Sequence, residues 1–384
     1  MWDTKKTQIL YIFFFLLITT AAFWFTKSSK LAQLNCDKEP SFQCYQNKFL
    51  DIAGNKGTSY ALDYLAEQQN KNPMLKKDCH YLAHRLGSEA YRKTKNVSAA
   101  IYEGRSHMNL CETGYTHGVI IQVFQETKTF AQISDFCNAF PAEENLFLRW
   151  HCLHSTGHGL MAALNYDLSR ALAECARMEN YFDREVCYGG VFMELVVLQH
   201  LPQEKHSSFL RLSDPFWPCN EVDATRAKPC YYYTTGTKLY RITNGNLPKA
   251  FEFCQKLEGE KREYCYRGVG RVVNVLESPE PESALAHCLS GPLEAHVPCL
   301  HPLVVILVDM HARLEDGQRL CLSSPERLKS PCFKTLGMLV PYLHTKEKAL
   351  WPEICQKLAS NFSSNCLEGA KERDLRNKKW QEIL

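Results

Sequence analysis

The chain has 384 residues, 45% of them hydrophobic, with a mean hydropathy of −0.32, and these values are ordinary for a folded protein. Its 45 basic residues exceed its 42 acidic residues by only three, so the charge gives no indication of a nucleic-acid or polyanion partner. The length would allow two or three domains, but the cysteine repeat described below predicts one elongated array instead.

An uncharged apolar stretch at residues 9–25 is the first element of the chain. At about 1.5 Å per residue it covers roughly 26 Å, slightly less than the ~30 Å hydrocarbon core of a bilayer. The small residues at 20–22 would suit cleavage of a signal peptide, whereas the aromatic residues at 23–25 are typical of a membrane interface. The aromatic run favours an uncleaved transmembrane signal anchor, through which the protein would contact the membrane.

Most of the 18 cysteines recur in pairs along the chain. The seven regular pairs are Cys137/Cys152, Cys175/Cys187, Cys219/Cys230, Cys254/Cys265, Cys288/Cys299, Cys321/Cys332 and Cys355/Cys366. Their members are 15 and 12 residues apart in the first two pairs and 11 apart in the other five. The second members of the last four pairs recur every 34, 33 and 34 residues. A period near 34 is typical of stacked helical hairpins, so the pattern predicts an all-α solenoid of disulfide-stapled hairpins.

The cysteines also indicate the compartment. Paired cysteines at fixed spacing persist as disulfides only where the environment is oxidising. The chain contains no Cys-x-x-Cys motif, which disfavours a structural zinc site built from thiolates. We therefore expect a single-pass membrane protein whose bulk lies in an oxidising extracytoplasmic compartment, such as the periplasm, a secretory lumen or the cell surface.

Proline stands immediately before the second cysteine of a pair at Pro229, Pro298 and Pro331. Because proline is favoured at the first helical position, the second cysteine is predicted to lie in the first turn of a helix. The first cysteine is predicted to end the helix before it. Each disulfide would then tie the end of one hairpin to the start of the next.

The N-terminal cysteines depart from this rule. Cys36 and Cys44 are only eight residues apart. Cys79 and Cys111 each precede a segment like those that follow the second cysteine of a regular pair, and they either pair with each other across neighbouring helices or stay free. The predicted organisation is a tail at 1–8, an anchor at 9–26, a juxtamembrane stem at 27–44, a repeat array at 45–370 (histidine-rich at about 79–160, regularly cysteine-paired at about 137–370) and a charged, solvated tail at 371–384.

The run Ala250–Cys254 (Ala-Phe-Glu-Phe-Cys) and its continuation Cys265–Gly268 (Cys-Tyr-Arg-Gly) resemble the exported, cysteine-rich Sel1-like repeat proteins and, more loosely, tetratricopeptide arrays. The resemblance covers the architecture of residues 45–370. It implies a right-handed α-solenoid that acts as a protein-binding scaffold, and it transfers no catalytic residues.

Seven of the 14 histidines lie between positions 80 and 158. His84, His117 and His158 each follow a cysteine by five or six residues in three successive repeats, so their positions are nearly equivalent. His80/His84 and His154/His158 are each four residues apart, which places two imidazoles on one helix face where they can bind one metal ion. Zinc and copper are the metals expected for imidazole ligands outside the cytoplasm.

Three interpretations of these histidines remain open: a metal or catalytic cluster, a structural hydrogen-bond ladder, and a polar binding groove. Glu194, seven residues after Cys187, would continue the row into the fourth repeat. Glycines between the histidines cost about 1 kcal/mol each in a helix relative to alanine, which indicates close backbone packing or an accessible site. These glycines are Gly114, Gly118, Gly157 and Gly159.

Two weaker patterns are predicted to form part of the hydrophobic core. The run Tyr231–Tyr233 would begin a helix, and it is predicted to be buried rather than to form an aromatic binding patch. Residues 303–310, which include Asp309, resemble a buried strand but stand in register with the repeats, so they are predicted to form a buried helix.

Two functions follow. The first is a membrane-anchored extracytoplasmic helical-repeat scaffold that binds a protein or peptide partner in a histidine-lined groove. The alternative is a metal-dependent enzyme, a hydrolase or an oxidase, that uses the histidine cluster at 80–158. The sequence contains no Gly-x-Ser-x-Gly, His-Glu-x-x-His or phosphate-binding loop, so it indicates no particular reaction.

Overall fold

The computed structural model describes residues 36, 40–107, 110–111, 113–127, 137–138, 140, 145–197, 210–273 and 281–382. Over these ranges the protein is all-helical and contains no β-strand, which confirms the all-α part of the predicted fold class. The predicted anchor at 9–26 lies outside the described residues.

The helices are α1 (Phe42–Lys56), α2 (Thr58–Gln68), α3 (Pro73–Thr94), α4 (Val97–Glu103), α5 (Gly114–Thr127), α6 (Leu146–Ala163), α7 (Leu168–Cys175), α8 (Tyr181–Val197), α9 (Ala224–Cys230), α10 (Gly236–Ile242), α11 (Leu247–Gln255), α12 (Gly259–Val272), α13 (Pro281–Leu289), α14 (His296–His311), α15 (Leu314–Ser323), α16 (Glu326–Leu343), α17 (Trp351–Ala359) and α18 (Ser363–Glu382). A π-helical turn, Tyr231–Thr235, joins α9 to α10.

Long and short helices alternate from α6 onwards, except that α9, the π-helical turn and α10 together form one continuous run, 224–242, in the place of a long helix. The short helices α7, α11, α13, α15 and α17 have 8 to 10 residues, and the long helices α6, α8, α12, α14, α16 and α18 have 14 to 20. Each of these short helices carries the first cysteine of a pair, near its C-terminal end in all but α17, where Cys355 is the middle residue, and the long helix that follows carries the second. Cys254 of α11 and Cys265 of α12 are an example.

All 18 cysteines form disulfides. Cys36 pairs with Cys44, and Cys79 pairs with Cys111, so the alternative that Cys79 and Cys111 stay free is wrong. Nine disulfides are typical of a protein in an oxidising extracytoplasmic compartment. The other seven bonds confirm the pairs that the spacing predicts: Cys137–Cys152, Cys175–Cys187, Cys219–Cys230, Cys254–Cys265, Cys288–Cys299, Cys321–Cys332 and Cys355–Cys366.

The second cysteine of most pairs lies deeper in its helix than predicted. Cys299 and Cys366, the fourth residues of α14 and α18, do lie in the first turn. For five other cysteines the predicted first-turn position is wrong, because each is the seventh residue of its helix and so lies in the second turn. These five are Cys152 of α6, Cys187 of α8, Cys230 of α9, Cys265 of α12 and Cys332 of α16.

Cys152 and Cys332 show the reason for this difference. Helix α6 begins at Leu146, because the Asn145 side chain accepts a hydrogen bond from the Leu148 N–H and caps the helix well before Cys152. Helix α16 begins directly after Pro325, again well before Cys332. Both cysteines are buried in the hydrophobic core, with exposed fractions of 1% and 0%, so their role is structural cross-linking and not part of a reactive site.

The prolines do not lie at the first helical position either. Pro298 is the third residue of α14, while Pro229 and Pro331 are the sixth residues of α9 and α16. Stronger start signals lie upstream: the Asp223 side chain accepts hydrogen bonds from the backbone N–H groups at 225 and 226, and so caps α9 six residues before its proline.

Two helices extend across the predicted boundaries of the array. Helix α1 begins at Phe42, inside the predicted stem, because the Ser41 hydroxyl accepts a hydrogen bond from the Cys44 N–H and caps the helix. Helix α18 continues to Glu382 without a break at 370. Its residues Arg373 and Arg376, predicted to be solvated, both line a cavity; Arg373 is half-buried, whereas the Arg376 side chain is 49% exposed.

Helices that are far apart in the sequence contact each other. Helix α6 contacts α16, and helix α8 contacts α18. The Leu146 N–H donates to the Thr345 hydroxyl at 3.2 Å across this junction. An open solenoid repeat contacts only its sequence neighbours, so these contacts bring the ends of residues 146–382 together around an interior space.

Two hydrophobic cores meet at α5. Tyr115, Val119 and Val123 belong to the N-terminal core, whereas Ile120 and Phe124 on another face of the same helix belong to the larger C-terminal core. The histidine-bearing helices α3, α5 and α6 pack side by side at this junction.

Within the described ranges one segment, Leu293–Met310, is long and apolar enough to cross a membrane by length and composition. It comprises a short turn and most of α14. This helix packs against α12, α15 and α16, and the Cys288–Cys299 disulfide fixes its first turn, so it is a central helix of the array. Residues 303–310 form a helix, as predicted, and not a strand, but only one face of it is buried, because Val305, Ile306 and Asp309 line the cavity.

Candidate metal centre

Three neighbouring helices carry the predicted histidines. Helix α3 holds His80 and His84, α5 holds His117, and α6 holds His154 and His158. Glycine at the contacts brings the helix backbones together: a Cβ added at Gly118 would lie 1.9 Å from the carbonyl oxygen of His84. The glycines of this region therefore serve close packing, which is one of the two roles that the sequence indicated.

His80, His84 and His117 form the tightest group. Each offers one ring nitrogen, and the three nitrogens lie within 4.8 Å of one another. The Nε2 atoms of His80 and His84 are 3.0 Å apart. Two imidazole nitrogens bound to one tetrahedral zinc at 2.0–2.1 Å are about 3.3 Å apart, so small shifts would let this pair share an ion.

The hydrogen bond on the other side of the ring fixes the tautomer of His80. Its Nδ1 lies 2.8 Å from the backbone carbonyl oxygen of Cys111, and a carbonyl can only accept, so Nδ1 carries the proton. The Nε2 atom of the neutral ring is then a bare acceptor that faces His84. A carbonyl behind the distal ring nitrogen is the usual support of a metal-binding histidine.

His117 has a nitrogen without a protein partner. Its Nε2 lies 3.4 Å from the Thr113 hydroxyl, and among the described residues its buried Nδ1 meets no hydrogen-bond partner. Thr113 is a β-branched residue at a positive φ of 58°, and this strained conformation aims its hydroxyl at both His117 and His151. A buried nitrogen left in this state is costly unless a ligand satisfies it.

Burial and charge keep the His117 ring neutral. Burial lowers the pKa of His117 well below its usual value of 6.5, and the neighbouring imidazoles, His80 and His84 foremost, lower it further. The neutral imidazole is the form that binds a metal ion.

His154 and His158 form a second pair on the far side of His117. Their Nε2 atoms are 3.3 Å apart, and the His117 ring centroid lies 5.4 Å from that of His158. The His158 Nδ1 donates to a Glu194 carboxylate oxygen at 2.8 Å, which leaves its Nε2 bare. The Tyr166 hydroxyl donates to the other Glu194 oxygen at 2.5 Å. Glu194 thus supports a histidine from behind, whereas the sequence placed it among the ligands.

A series of hydrogen-bonded polar side chains connects the cluster with helices α14 and α16. The His151 Nδ1 lies 2.8 Å from the Thr113 hydroxyl, and its Nε2 donates to Asp309 at 3.0 Å. Tyr342 also donates to Asp309, at 3.2 Å. His151 was not among the predicted ligands, although its position three residues before His154 on the same helix was a usable signal.

A cavity of about 270 Å³ adjoins the histidines. Trp150 stacks on the His154 ring with centroids 4.7 Å apart, and Tyr233 faces the same ring at 5.3 Å. Tyr231 is buried in the core as predicted, but Tyr232 and Tyr233, on the same π-helical turn, line the cavity.

The cluster is interior rather than on an open groove. The exposed fractions of His84, His117, His154 and His158 are only 3–4%, and burial lowers the pKa of His154 well below 6.5. Glu194 is fully buried. Access to the cluster is therefore through the cavity.

Comparisons of the chain with protein-family models, curated proteins and solved structures find no match. The likeness to Sel1-like and tetratricopeptide repeats stays a prediction from the sequence. A function must accordingly be argued from the side chains around the cavity.

Proposed function

We propose that this chain is a metal-dependent enzyme, anchored in a membrane through residues 9–26 and exposed to an oxidising extracytoplasmic compartment. His80, His84 and His117 would bind a zinc or copper ion, with His154 and His158 as further ligands. The proposal includes the right-handed α-solenoid that the resemblance to Sel1-like repeats implies. The observation that carries it is the buried Nδ1 of His117, which lies beside two other imidazoles and meets no hydrogen-bond partner among the described residues.

The ligand set is suited to this chemistry. Neutral imidazoles are preferred by zinc and copper, and second partners behind His80 and His158 are those expected of metal-binding histidines. A histidine-bound zinc with an open position lowers the pKa of its water to about 7 and would support hydrolysis, whereas copper would support oxidation. The chain's own contribution is to hold the imidazoles neutral and to limit access to the cavity.

The scaffold hypothesis ranks second. The helical-repeat architecture supports it, but a cavity of about 270 Å³ suits a small molecule and not a folded partner. Alanine substitution of the cluster histidines tests this hypothesis. If a protein partner still binds after the substitution, its binding groove must lie elsewhere on the array.

Elemental analysis tests the proposal. The full chain would be produced in an oxidising host without a polyhistidine tag, and the wild type should retain about one zinc or copper ion per chain. The His117→Ala variant should lose most of that metal while keeping its helical circular dichroism. His107→Ala is the matched control, because His107 lies outside the cluster and pairs with Asp63 at 2.8 Å.

A wild type that holds no metal, even after incubation with zinc or copper, would overturn the proposal. Equal metal contents in the wild type and His117→Ala would do the same. His117→Gln is a second variant that nearly conserves side-chain volume, for use if alanine impairs folding.

A further inference from the structure

Arg271 is a buried cation without a carboxylate partner in the described part of the chain. Its exposed fraction is 9%, and its Nη2 donates at 3.0 Å to the thioether sulfur of Met193. A thioether is a weak acceptor and carries no charge. Buried arginines are normally paired, because burial of an uncompensated charge is costly.

This guanidinium lies next to the histidine cluster. The Met193 sulfur that accepts its hydrogen bond is also 3.3 Å from the His154 Nε2. The Tyr233 ring lies 5.1 Å from the Arg271 Cζ and 5.3 Å from the His154 ring centroid. One layer of side chains therefore separates the guanidinium from the imidazoles, and both face the same cavity.

Among the described residues, the carboxylates near the cavity do not pair with Arg271. Four arginines line the cavity, namely Arg267, Arg271, Arg373 and Arg376, together with the carboxylates of Glu185 and Asp309, but Arg267 and Arg376 already pair with Glu263 and Glu372. Asp309 already accepts hydrogen bonds from His151 and Tyr342. A bound divalent metal would add further positive charge. A cationic ligand would be repelled here, and a neutral one would leave the Arg271 charge uncompensated.

We infer that the substrate of this site is a small anionic molecule whose carboxylate or phosphate group pairs with Arg271 while the rest of it reaches the histidine cluster. The inference rests on the proposed function, since it specifies what enters the cavity beside the metal. The planar fork of arginine suits both oxyanions, because it can donate two parallel hydrogen bonds to either.

Isothermal titration calorimetry with inorganic phosphate and with acetate tests the inference on the metal-loaded full chain. Arg271→Gln should bind the preferred anion about 10- to 100-fold more weakly than the wild type, because a charge-assisted hydrogen bond is lost. Its metal content should not change. Arg177→Gln is the control, since Arg177 is a surface residue that pairs with Glu174.

The outcomes separate this inference from the proposed function. A protein that binds no metal defeats the proposed function, and titration of the same metal-free protein still shows whether Arg271 binds anions. Normal metal content with equal anion affinity in wild type and Arg271→Gln overturns the inference, as does a wild type that binds neither anion. Tighter binding of phosphate than of acetate assigns a phosphate-bearing substrate, and the reverse assigns a carboxylate. Arg271→Lys, which keeps the charge but not the fork, replaces Arg271→Gln if that variant fails to fold.

Discussion

The His158 Nδ1 lies 2.8 Å from a carboxylate oxygen of Glu194, the most deeply buried acid in the described chain that faces a histidine. Tyr166 holds the second carboxylate oxygen at 2.5 Å. The carboxylate therefore fixes both the orientation and the tautomer of the imidazole, and its bare Nε2 faces His154. Such a partner strengthens a metal ligand by making the ring more basic.

Replacement of Glu194 by glutamine should weaken metal binding without unfolding the protein. The amide keeps the size of the carboxylate but lacks its charge, and loss of such a supporting group typically reduces metal affinity about 10- to 100-fold. Competition with a chromogenic chelator measures the affinity. Glu174→Gln, on the surface, is the control. An unchanged affinity would contradict the participation of His158 and confine the ion to His80, His84 and His117.

The two ends of the disulfide array should differ in their effect on the metal. The Cys79–Cys111 bond closes a 32-residue separation and the Cys355–Cys366 bond an 11-residue one, which in the chain-entropy model corresponds to about 4 and about 3 kcal/mol of stability. Only the Cys79–Cys111 bond includes the residue, Cys111, whose backbone carbonyl orients His80.

Substitution of both cysteines of a pair by alanine tests this difference. Both double variants should unfold at lower urea concentration than the wild type, but only Cys79→Ala/Cys111→Ala should also lose metal affinity. Equal metal affinities in the two double variants would show that the bond does not position His80.

Features that depend on neighbouring residues and helices could be predicted from the sequence, whereas features that depend on contacts between distant helices could not. The disulfides and the clustering of imidazoles could be predicted from the sequence. They follow from the 11-residue cysteine spacing and from the register of His84, His117 and His158, which involve only single hairpins and their neighbours. Arg271 and Asp309 line a cavity whose walls also include α6, α8, α16 and α18, and α6 contacts α16 while α8 contacts α18. The curvature that brings these helices together is the sum of many small helix–helix angles, and no local pattern encodes it.

Gly157 should be irreplaceable at the contact between α6 and α8. A Cβ at this position would lie 2.2 Å from the backbone carbonyl oxygen of Cys187, so alanine must push the two helices apart. We expect Gly157→Ala to lower the free energy of unfolding by about 3 kcal/mol, the upper end of overpacking costs. Gly54→Ala in α1 is the control, because nothing lies within 4 Å of its Cβ.

The control substitution, Gly54→Ala, should instead increase the stability of the protein. Alanine restricts the unfolded chain more than glycine does, so Gly54→Ala should raise the free energy of unfolding by about 0.5–1 kcal/mol. Urea unfolding of the disulfide-intact proteins measures both values. A Gly157→Ala variant as stable as the wild type would mean that the backbones of α6 and α8 can separate at little cost.

Acidification should destabilise the metal-free protein partly through His301, which lines the cavity outside the metal centre. Burial lowers the pKa of this ring well below 6.5, and the nearby Arg267, Arg376 and Arg373 lower it further. In the unfolded chain the pKa is about 6.5. Below that pH the unfolded state binds a proton that the folded state does not bind. The free energy of unfolding therefore falls with falling pH, by about 1.4 kcal/mol per pH unit for this residue.

Removal of the titrating group should flatten this dependence. His301→Asn should lose less stability than the wild type between pH 7.0 and pH 5.5, by about 1–2 kcal/mol, while the two differ little in slope above pH 7. Urea unfolding at each pH, with chelator present in both samples, gives the comparison. His344→Asn removes a partly exposed histidine and serves as the control. Parallel pH profiles for His301→Asn and the wild type would mean that the His301 ring takes up a proton in the folded protein, because the cavity then admits enough water to solvate its charge.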